Sequence, residues 1–361
     1  MASESAQERV HSGKVWADFC DQLKAAGEVI LRDSSPDSEL DRAEGWRYLS
    51  RLVRLSLEQY VEHSDTSAPT FYRLSHETAK IGCDNPDCIY GNAVLDSEME
   101  YRITGTRGDV DYLSFGTFSG GYGQGGKTGP TGFLDVKDMQ FEADGSIEII
   151  VSRRPQAKNW LPMKDNSNLM IVRQLLKNRR TDQMAVFTIE PLNGKTTPQR
   201  LTAEKLAQGF TAAANFVNST AAIFANHVEN FKRTPNELVY NPIDKASSLG
   251  DPNNTIWYGY WALRENEALV IEVDPPECEF WNFQVNNYWE ESLDYRYLDV
   301  TVNKYSARYE ADGSLKIVIA HRDPGMGNWL VTEGHDVGTL CFRWTCVESM
   351  PQPRTRVVKL A

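Results

Sequence analysis

The chain has 361 residues, 41% of them hydrophobic and 24% charged, the make-up of a soluble globular protein. That length has room for two or three domains at roughly 100–200 residues each. Its 38 Lys and Arg stand against 50 Asp and Glu, a net charge of −12. This excess argues against a nucleic-acid partner or an anionic membrane surface, because counterion-release binding needs a basic face. No stretch approaches the ~20 consecutive apolar residues of a transmembrane helix. The start, Met1 to Val10, has neither the apolar core nor the cleavage-site pattern of a signal peptide, so a cytoplasmic location is expected.

Residues 1–66 read as a helical segment. Val15, Phe19 and Leu23 recur every four residues, and Val29 and Ile30 extend that face. Arg32 to Ser38 is turn chemistry. A second amphipathic helix is predicted from about Glu39 to Glu62, with apolar positions at Trp46, Leu49, Val53, Leu57, Tyr60 and Val61. Both are packing elements, without a catalytic-looking constellation.

From residue 67 to 200 the pattern changes to short runs of period two, bounded by Gly, Asn and Asp, and this is the first β module. Within it, Gly121 to Thr128 satisfies the letters of a phosphate-binding P-loop. Gly129-Pro130 follow at once, where that motif needs a helix whose N-terminus faces the phosphates, so the run is read as a loop. Residues 201–240 are a connecting helix. Leu206, Phe210, Ala213, Val217, Thr220, Phe224, His227 or Val228, and Phe231 are spaced three and four apart, Thr202 caps the start and Thr234-Pro235 stops it. It would run about 45 Å, and either packs between two β modules or forms the seam of a homodimer. Residues 241–361 form the second module, with a Pro- and Asn-rich lead-in from Asn241 to Asn254.

The two modules repeat one another. Phe141 to Arg154 matches Tyr309 to Arg322 at a shift of 168 residues. The same offset pairs Tyr112 to Phe115 with Phe280 to Phe283, Tyr90-Gly91 with Tyr258-Gly259, and Asn85 with Asn253. One residue further on, Asn159-Trp160-Leu161 pairs with Asn328-Trp329-Leu330. In both copies an Asp-Gly dipeptide precedes a strand, Ile147 to Ser152 and Leu315 to Ala320, which fits a tight hairpin. Many short strands without βαβ alternation predict a mainly β protein. The expected architecture is two tandem antiparallel β-sandwiches, jelly-roll-like, rather than a Rossmann fold.

The second copy carries Val302 to Ser306, Ala311 to Leu315 and Asp323 to Leu330; the first carries Ala143 to Ile147, Asn159 to Pro162 and Leu169 to Arg173. In these residues the chain resembles the domain-of-unknown-function family 1214, often found joined to family 1254. The resemblance implies a double β-sandwich and brings with it no reaction and no catalytic residues.

Positions that match between the copies are expected to serve the fold. Asn159 and Asn328 read as turn residues bonding the backbone beside the indoles of Trp160 and Trp329. Asp84 to Asp87 and Asp251 to Asn254 read as Asx-type turns. Arg154 and Arg322, at a strand end beside the Asn-Trp turn, fit either a structural anchor or anion binding. Asp109 and Asp111 read as a solvated turn. Cys83 and Cys88 share their spacing with Cys341 and Cys346, but only His335 lies near, so reduced buried thiols and no metal are expected.

Positions that differ are where function would diverge. Arg153 in the first copy is His321 in the second, at a strand exit typical of a pocket rim, and histidine titrates near neutral pH. Six of the nine Trp follow residue 240. The loop after Val285 carries Asn286, Asn287, Tyr288, Trp289 and Glu290 at a sandwich end, where such folds keep binding residues. Either a small-molecule cleft or a Trp-rich core with an acidic turn fits this block. The leading expectation is an enzyme acting on a small, largely apolar terpenoid, steroid or aromatic alcohol or ester by hydrolysis, dehydration or isomerisation. His321 would transfer the proton, Arg322 assist it electrostatically, and Tyr288 and Asn286 orient the substrate. Trp257, Trp281, Trp289 and Trp329 would hold its body. No dinucleotide fingerprint or metal triad is present, so no cofactor is expected. The rival is a non-catalytic ligand-binding or assembly protein with an aromatic platform.

Overall fold

The computed structural model describes residues 4–125, 127–192, 197–240 and 248–360. Gly126 of the glycine run and residues 241–247 of the predicted lead-in lie outside the described residues. The N-terminal periodicity becomes α1 (Ala6–Ser12), α2 (Lys14–Ala26) and α3 (Glu39–Leu57), the last running on into a π-helical turn over Glu58–Glu62. Ser5 and Ser38 cap α1 and α3, each hydroxyl accepting from a first-turn backbone N–H.

The first copy contains β1 (Cys88–Val94), β2 (Tyr101–Thr106), β3 (Tyr112–Ser119), β4 (Gly129–Asp135), β5 (Ser146–Ser152), β6 (Trp160–Pro162), β7 (Leu169–Leu175) and β8 (Val186–Pro191). They make two sheets, an inner one ordered β1-β7-β3-β4 and an outer one ordered β6-β5-β2-β8. Helix α4 (Ala203–Phe231) follows, capped by Thr202. After the short β9 (Leu238–Tyr240), the second copy supplies β10 (Asn254–Ala262), β11 (Glu267–Val273), β12 (Phe280–Asn286) and β13 (Thr301–Asn303). It ends with β14 (Leu315–Ala320), β15 (Trp329–Val331), β16 (Val337–Thr345) and β17 (Arg354–Lys359). Its inner sheet is β13-β12-β16-β10-β9 and its outer sheet β15-β14-β11-β17.

The sequence repeat is therefore a repeat of topology. β10, β16 and β12 stand where β1, β7 and β3 stand, and even the register is kept, Gly91 opposite Val172 and Gly259 opposite Leu340. Both sandwiches are antiparallel except at one edge of each outer sheet, where β5 and β6, and β14 and β15, run parallel. That edge is built by the repeated Asn-Trp turn. Asn159 and Asn328 have φ of 45° and 51°, and each exchanges two hydrogen bonds with a single backbone residue, Gln140 and Arg308 respectively. The indole N–H groups of Trp160 and Trp329 then donate to Ser152 and Ala320. The expectation that Trp329 holds ligand is corrected, since its ring closes a strand edge.

Strand alternation sends the apolar residues of each inner sheet toward its outer sheet. The first core contains Leu113, Phe115, Val172, Ile103, Ile149 and Val151. The second takes Trp257, Trp261, Trp281 and Trp344 together with Phe283 and Phe342. Trp281 and Trp344 are 1% and 0% exposed, so Trp257 and Trp281 fill the sandwich and do not wall a recess. The opposite faces of the inner sheets are buried too, because β3, β7 and β12 are covered along their whole lengths. Those second faces approach one another: Phe280 packs with Cys88, Tyr112 and Leu175, and the Asn282 amide donates to Asn85 Oδ1.

The helices complete the cover. Phe19 of α2 packs on Ala213 and Ala214 of α4, while Leu52 and Leu55 of α3 share a cluster with Phe216, Val217, Tyr288 and Trp289. Arg51 pairs with Glu291 at 2.7 Å, and Asp41 lies 2.8 Å from His335 Nδ1, tying α3 to the second copy. The apolar face of α4 packs against the chain's own α2 and α3.

Replacing Asn328 with Ala removes three side-chain hydrogen bonds and leaves a β-carbon at positive φ. It should cost about 2–3 kcal/mol in chemical denaturation, and Asn328→Gly less, because glycine tolerates that φ.

Candidate functional site

Between the inner sheets and α4 lies a chamber of about 600 Å³. Equivalent residues of the two copies line it together: Tyr90 and Tyr258, and Cys83 and Asp251, each pair 168 apart in number. Phe224 and Phe231 line it from α4, and Tyr122 lines it from the loop between β3 and β4. That loop is the glycine run. It leads into strand β4, which confirms that it is not a phosphate-binding P-loop. Gly123 (φ 75°) lies so close to α4 that a β-carbon would sit 2.3 Å from the Asn215 carbonyl oxygen.

One end of the chamber is polar, and the loop after β12 builds it. The Asn287 side-chain oxygen accepts from the backbone N–H groups of Trp289 and Glu291, and Asp84 accepts from both the N–H and the hydroxyl of Ser292. Clamped between them, Glu290 takes φ of 56°, and its carbonyl accepts from the N–H of Cys83, itself at φ 55°. Two non-glycine residues in the left-handed region, bonded to each other, are sparsely populated geometry held by its surroundings. Gly82 beside them (φ 52°) admits nothing larger, since a β-carbon would lie 2.2 Å from the Phe224 ring. The predicted Asx turns are present: Asn85 Oδ1 accepts from Asp87 N and Asp251 Oδ1 from Asn253 N, both at 2.9 Å.

Glu290 is 1% exposed. Its Oε2 accepts from the Cys83 thiol at 3.4 Å, whereas Oε1 has no hydrogen-bond partner among the described residues. The nearby His227 Nδ1, on α4, stands 3.8 Å from that free oxygen, and its side chain is 47% exposed. Burial pushes the Glu290 carboxyl up to about 8, with Cys341 adding to the rise and Cys83 and Arg343 opposing it. Burial likewise holds His227 below its ordinary value. Arg343, fully buried, donates to the Cys83 carbonyl and to Gln284. Burial raises the Cys83 thiol well above the usual range, with the neighbouring Cys341 adding to the rise. Burial opposes ionisation of Cys341 too, but the neighbouring Cys83 thiol and the Arg343 charge hold it lower. All six cysteines are free. The arrangement is a proton donor and acceptor inside an apolar chamber, with an imidazole between it and solvent.

The residues singled out from sequence are not brought together here. His321 leaves the outer sheet, where Nδ1 meets the Thr332 hydroxyl at 2.8 Å and Nε2 the Leu263 carbonyl at 3.2 Å. The outer sheet is a separate layer, so the imidazole has no access to the chamber, and Arg322 beside it is exposed. Tyr288 donates to Glu229 at 2.9 Å, and the Trp289 indole to the Asp41 carbonyl at 2.9 Å, both in the seam between helices and second copy. Asn286 alone touches the polar end, through Cys83 at 3.4 Å. Of the loop after Val285, the residue that lines the chamber is Glu290. His227 had one visible signal, a titratable group on the apolar face of α4 between Phe224 and Phe231. Cys83 and Arg343 had none: Cys83 lies in the turn ahead of β1, and strand alternation marks Arg343 only as a polar-face residue.

A family model described as a protein of unknown function (DUF1214) matches residues 129–179 and 263–345, one segment in each sandwich. The chain is similar to an uncharacterized protein from Burkholderia cenocepacia at 48% identity and a TM-score of 0.95, over 99% of both chains. It also shares its fold with the VPA0106 protein from Vibrio parahaemolyticus, at 11% identity and a TM-score of 0.50, over 94% of this chain and 100% of that one. No curated protein matches.

An ordinary glutamate releases its proton near 4.5, whereas Glu290 keeps it to about 8 when folded. A proton retained by folding makes stability greatest below the unfolded value and lost as pH rises through the folded one. The Glu290 contribution to the melting temperature should therefore fall from about pH 5 to about pH 8 and level off above, while His227, held below its ordinary value, contributes with the opposite sign inside that window. Glu290→Gln should flatten that fall; parallel curves for the two proteins would mean an ionised Glu290 throughout. His321→Ala should cost about 1–2 kcal/mol in chemical denaturation through its two hydrogen bonds.

Proposed function

The chain belongs to the DUF1214 family, and from its chamber we propose that it binds a small, largely apolar molecule and moves a proton on it. Isomerisation and dehydration are the reaction classes that fit. The observation that carries this reading is Glu290: a buried carboxyl with one oxygen fixed by Cys83 and the other unpartnered, in a chamber lined by aromatic rings. A volume of about 600 Å³ lies within the usual range of small-molecule sites. Burial keeps Glu290 protonated at neutral pH, so it can donate to a carbonyl or hydroxyl oxygen and, once ionised, take a proton from carbon. The two steps return the carboxyl to its starting state. In an isomerisation no net proton is consumed; in a dehydration the departing hydroxyl leaves as water. His227, half exposed, exchanges protons between Glu290 and solvent. The rings of Tyr122, Phe224 and Tyr258 supply the apolar walls.

The test is hydrogen exchange on a panel of apolar ketones and secondary alcohols in D₂O, followed by NMR. The wild-type protein should place deuterium at the α-carbon of at least one bound ketone. Glu290→Gln should slow that exchange by about 10²-fold or more while binding changes little. Binding without exchange in the wild type would make the protein a carrier, and equal exchange in the variant would remove Glu290 from the chemistry.

A further inference from the structure

Two arginines line the chamber, Arg343 at its acid pole and Arg173 away from it. Arg173 stands on β7, in register with Tyr90 on one side and Ser114 on the other. It is 8% exposed. One terminal nitrogen donates to the Leu249 carbonyl, while the other, NH1, is buried with no hydrogen-bond partner. None of the described carboxylates pairs with it. Asp251 also lines the chamber, but its Oδ2 is taken by the hydroxyls of Tyr112 and Ser114 at 2.8 and 2.7 Å, and its Oδ1 by Asn253 N. The guanidinium lies 5.8 Å from the Phe118 ring centroid, and Leu169, Ile171 and Leu249 line the chamber with it. Arginine is seldom buried without a counter-charge, because an unpaired buried ion loses its hydration without compensation.

The repeat sharpens the point. The residue 168 positions after Arg173 is Cys341, and each stands opposite a chamber-lining tyrosine, Tyr90 or Tyr258, in its own inner sheet. Where the fold asks for the same backbone, the first copy supplies a cation and the second a thiol beside the acid pole at Glu290. A guanidinium with one unpartnered terminal nitrogen, among apolar side chains, matches a single negative charge and so a carboxylate rather than a phosphate dianion. We infer that the molecule held in this chamber is an apolar carboxylic acid, its carboxylate on Arg173 and its reacting part toward Glu290. This rests on the reading of the chamber as a ligand site.

Calorimetric titration with three acids of different shape (biphenyl-4-carboxylate, dodecanoate and cyclohexylacetate) and their methyl esters tests it. The wild-type protein should bind the best-fitting acid about tenfold or more tightly than its ester. Arg173→Met should abolish that preference while keeping the affinity for the ester, and Arg173→Lys should keep part of it. An ester bound as tightly as its acid by the wild type would overturn the inference and leave the chamber reading intact. So would an undiminished preference in Arg173→Met. If no acid and no ester binds the wild type, the chamber reading falls and this inference with it. The wild-type comparison decides even if the methionine variant does not fold.

Discussion

Neither inner sheet has a face for solvent. Strands β3, β7 and β12 are covered on both sides, so each inner sheet must find two partners. Its apolar alternates pack on the outer sheet of the same copy. Its other face meets the sister copy and the helices, and there the side chains are Asn282, Gln284, Asn286, Arg343 and their partners from the turn at Asp84. Buried polar groups cost least when hydrogen-bonded, and this part of the seam is largely a bonded network, with the apolar contact of Phe280 on Tyr112 and Leu175 beside it. The helical N-terminus and α4 are needed for the same reason, since without them the second faces would be open to water.

The chamber is the part of this seam that neither sheet nor helix fills. Its acid pole is costly: a buried carboxyl, two residues at positive φ and a fully buried guanidinium all oppose folding unless the surroundings hold them. The surroundings do so with short-range clamps, Asn287 on its own turn and Asp84 on Ser292, contributed by different copies. A proton-carrying group in such a setting is displaced in pKa by the same burial that makes it costly.

Duplication separates the two demands. Matched residues serve the architecture, as with Asn159 and Asn328, which make the same left-handed turn and the same pair of backbone bonds. At other equivalent positions the chemistry has diverged: Cys83 against Asp251, Arg173 against Cys341. Those unlike pairs all lie in or beside the chamber. Arg153 against His321 is a divergence of another kind. Arg153 pairs with Glu98 and Asp165 on the surface, and His321 braces a strand end. A difference between copies is therefore informative only when the position faces the seam.

From the amino-acid order alone, period-two runs, helical spacing and the 168-residue offset specified two sandwiches, the helical segment and the long helix, because each of these is a pattern between near neighbours or a copied string. The Asx and Asn-Trp turns were legible for the same reason. Which face of β12 would meet the sister copy was not: alternation separates Trp281 and Phe283 from Asn282 and Gln284, but both faces are buried, and burial depends on what lies across from them. Glu290, Cys83, His227 and Arg343 come from four distant segments, and only the docking of one sheet on its copy beneath α4 brings them to one cavity. The tertiary structure alone decided that the imidazole at 321 stands in an outer layer and the carboxyl at 290 in the chamber.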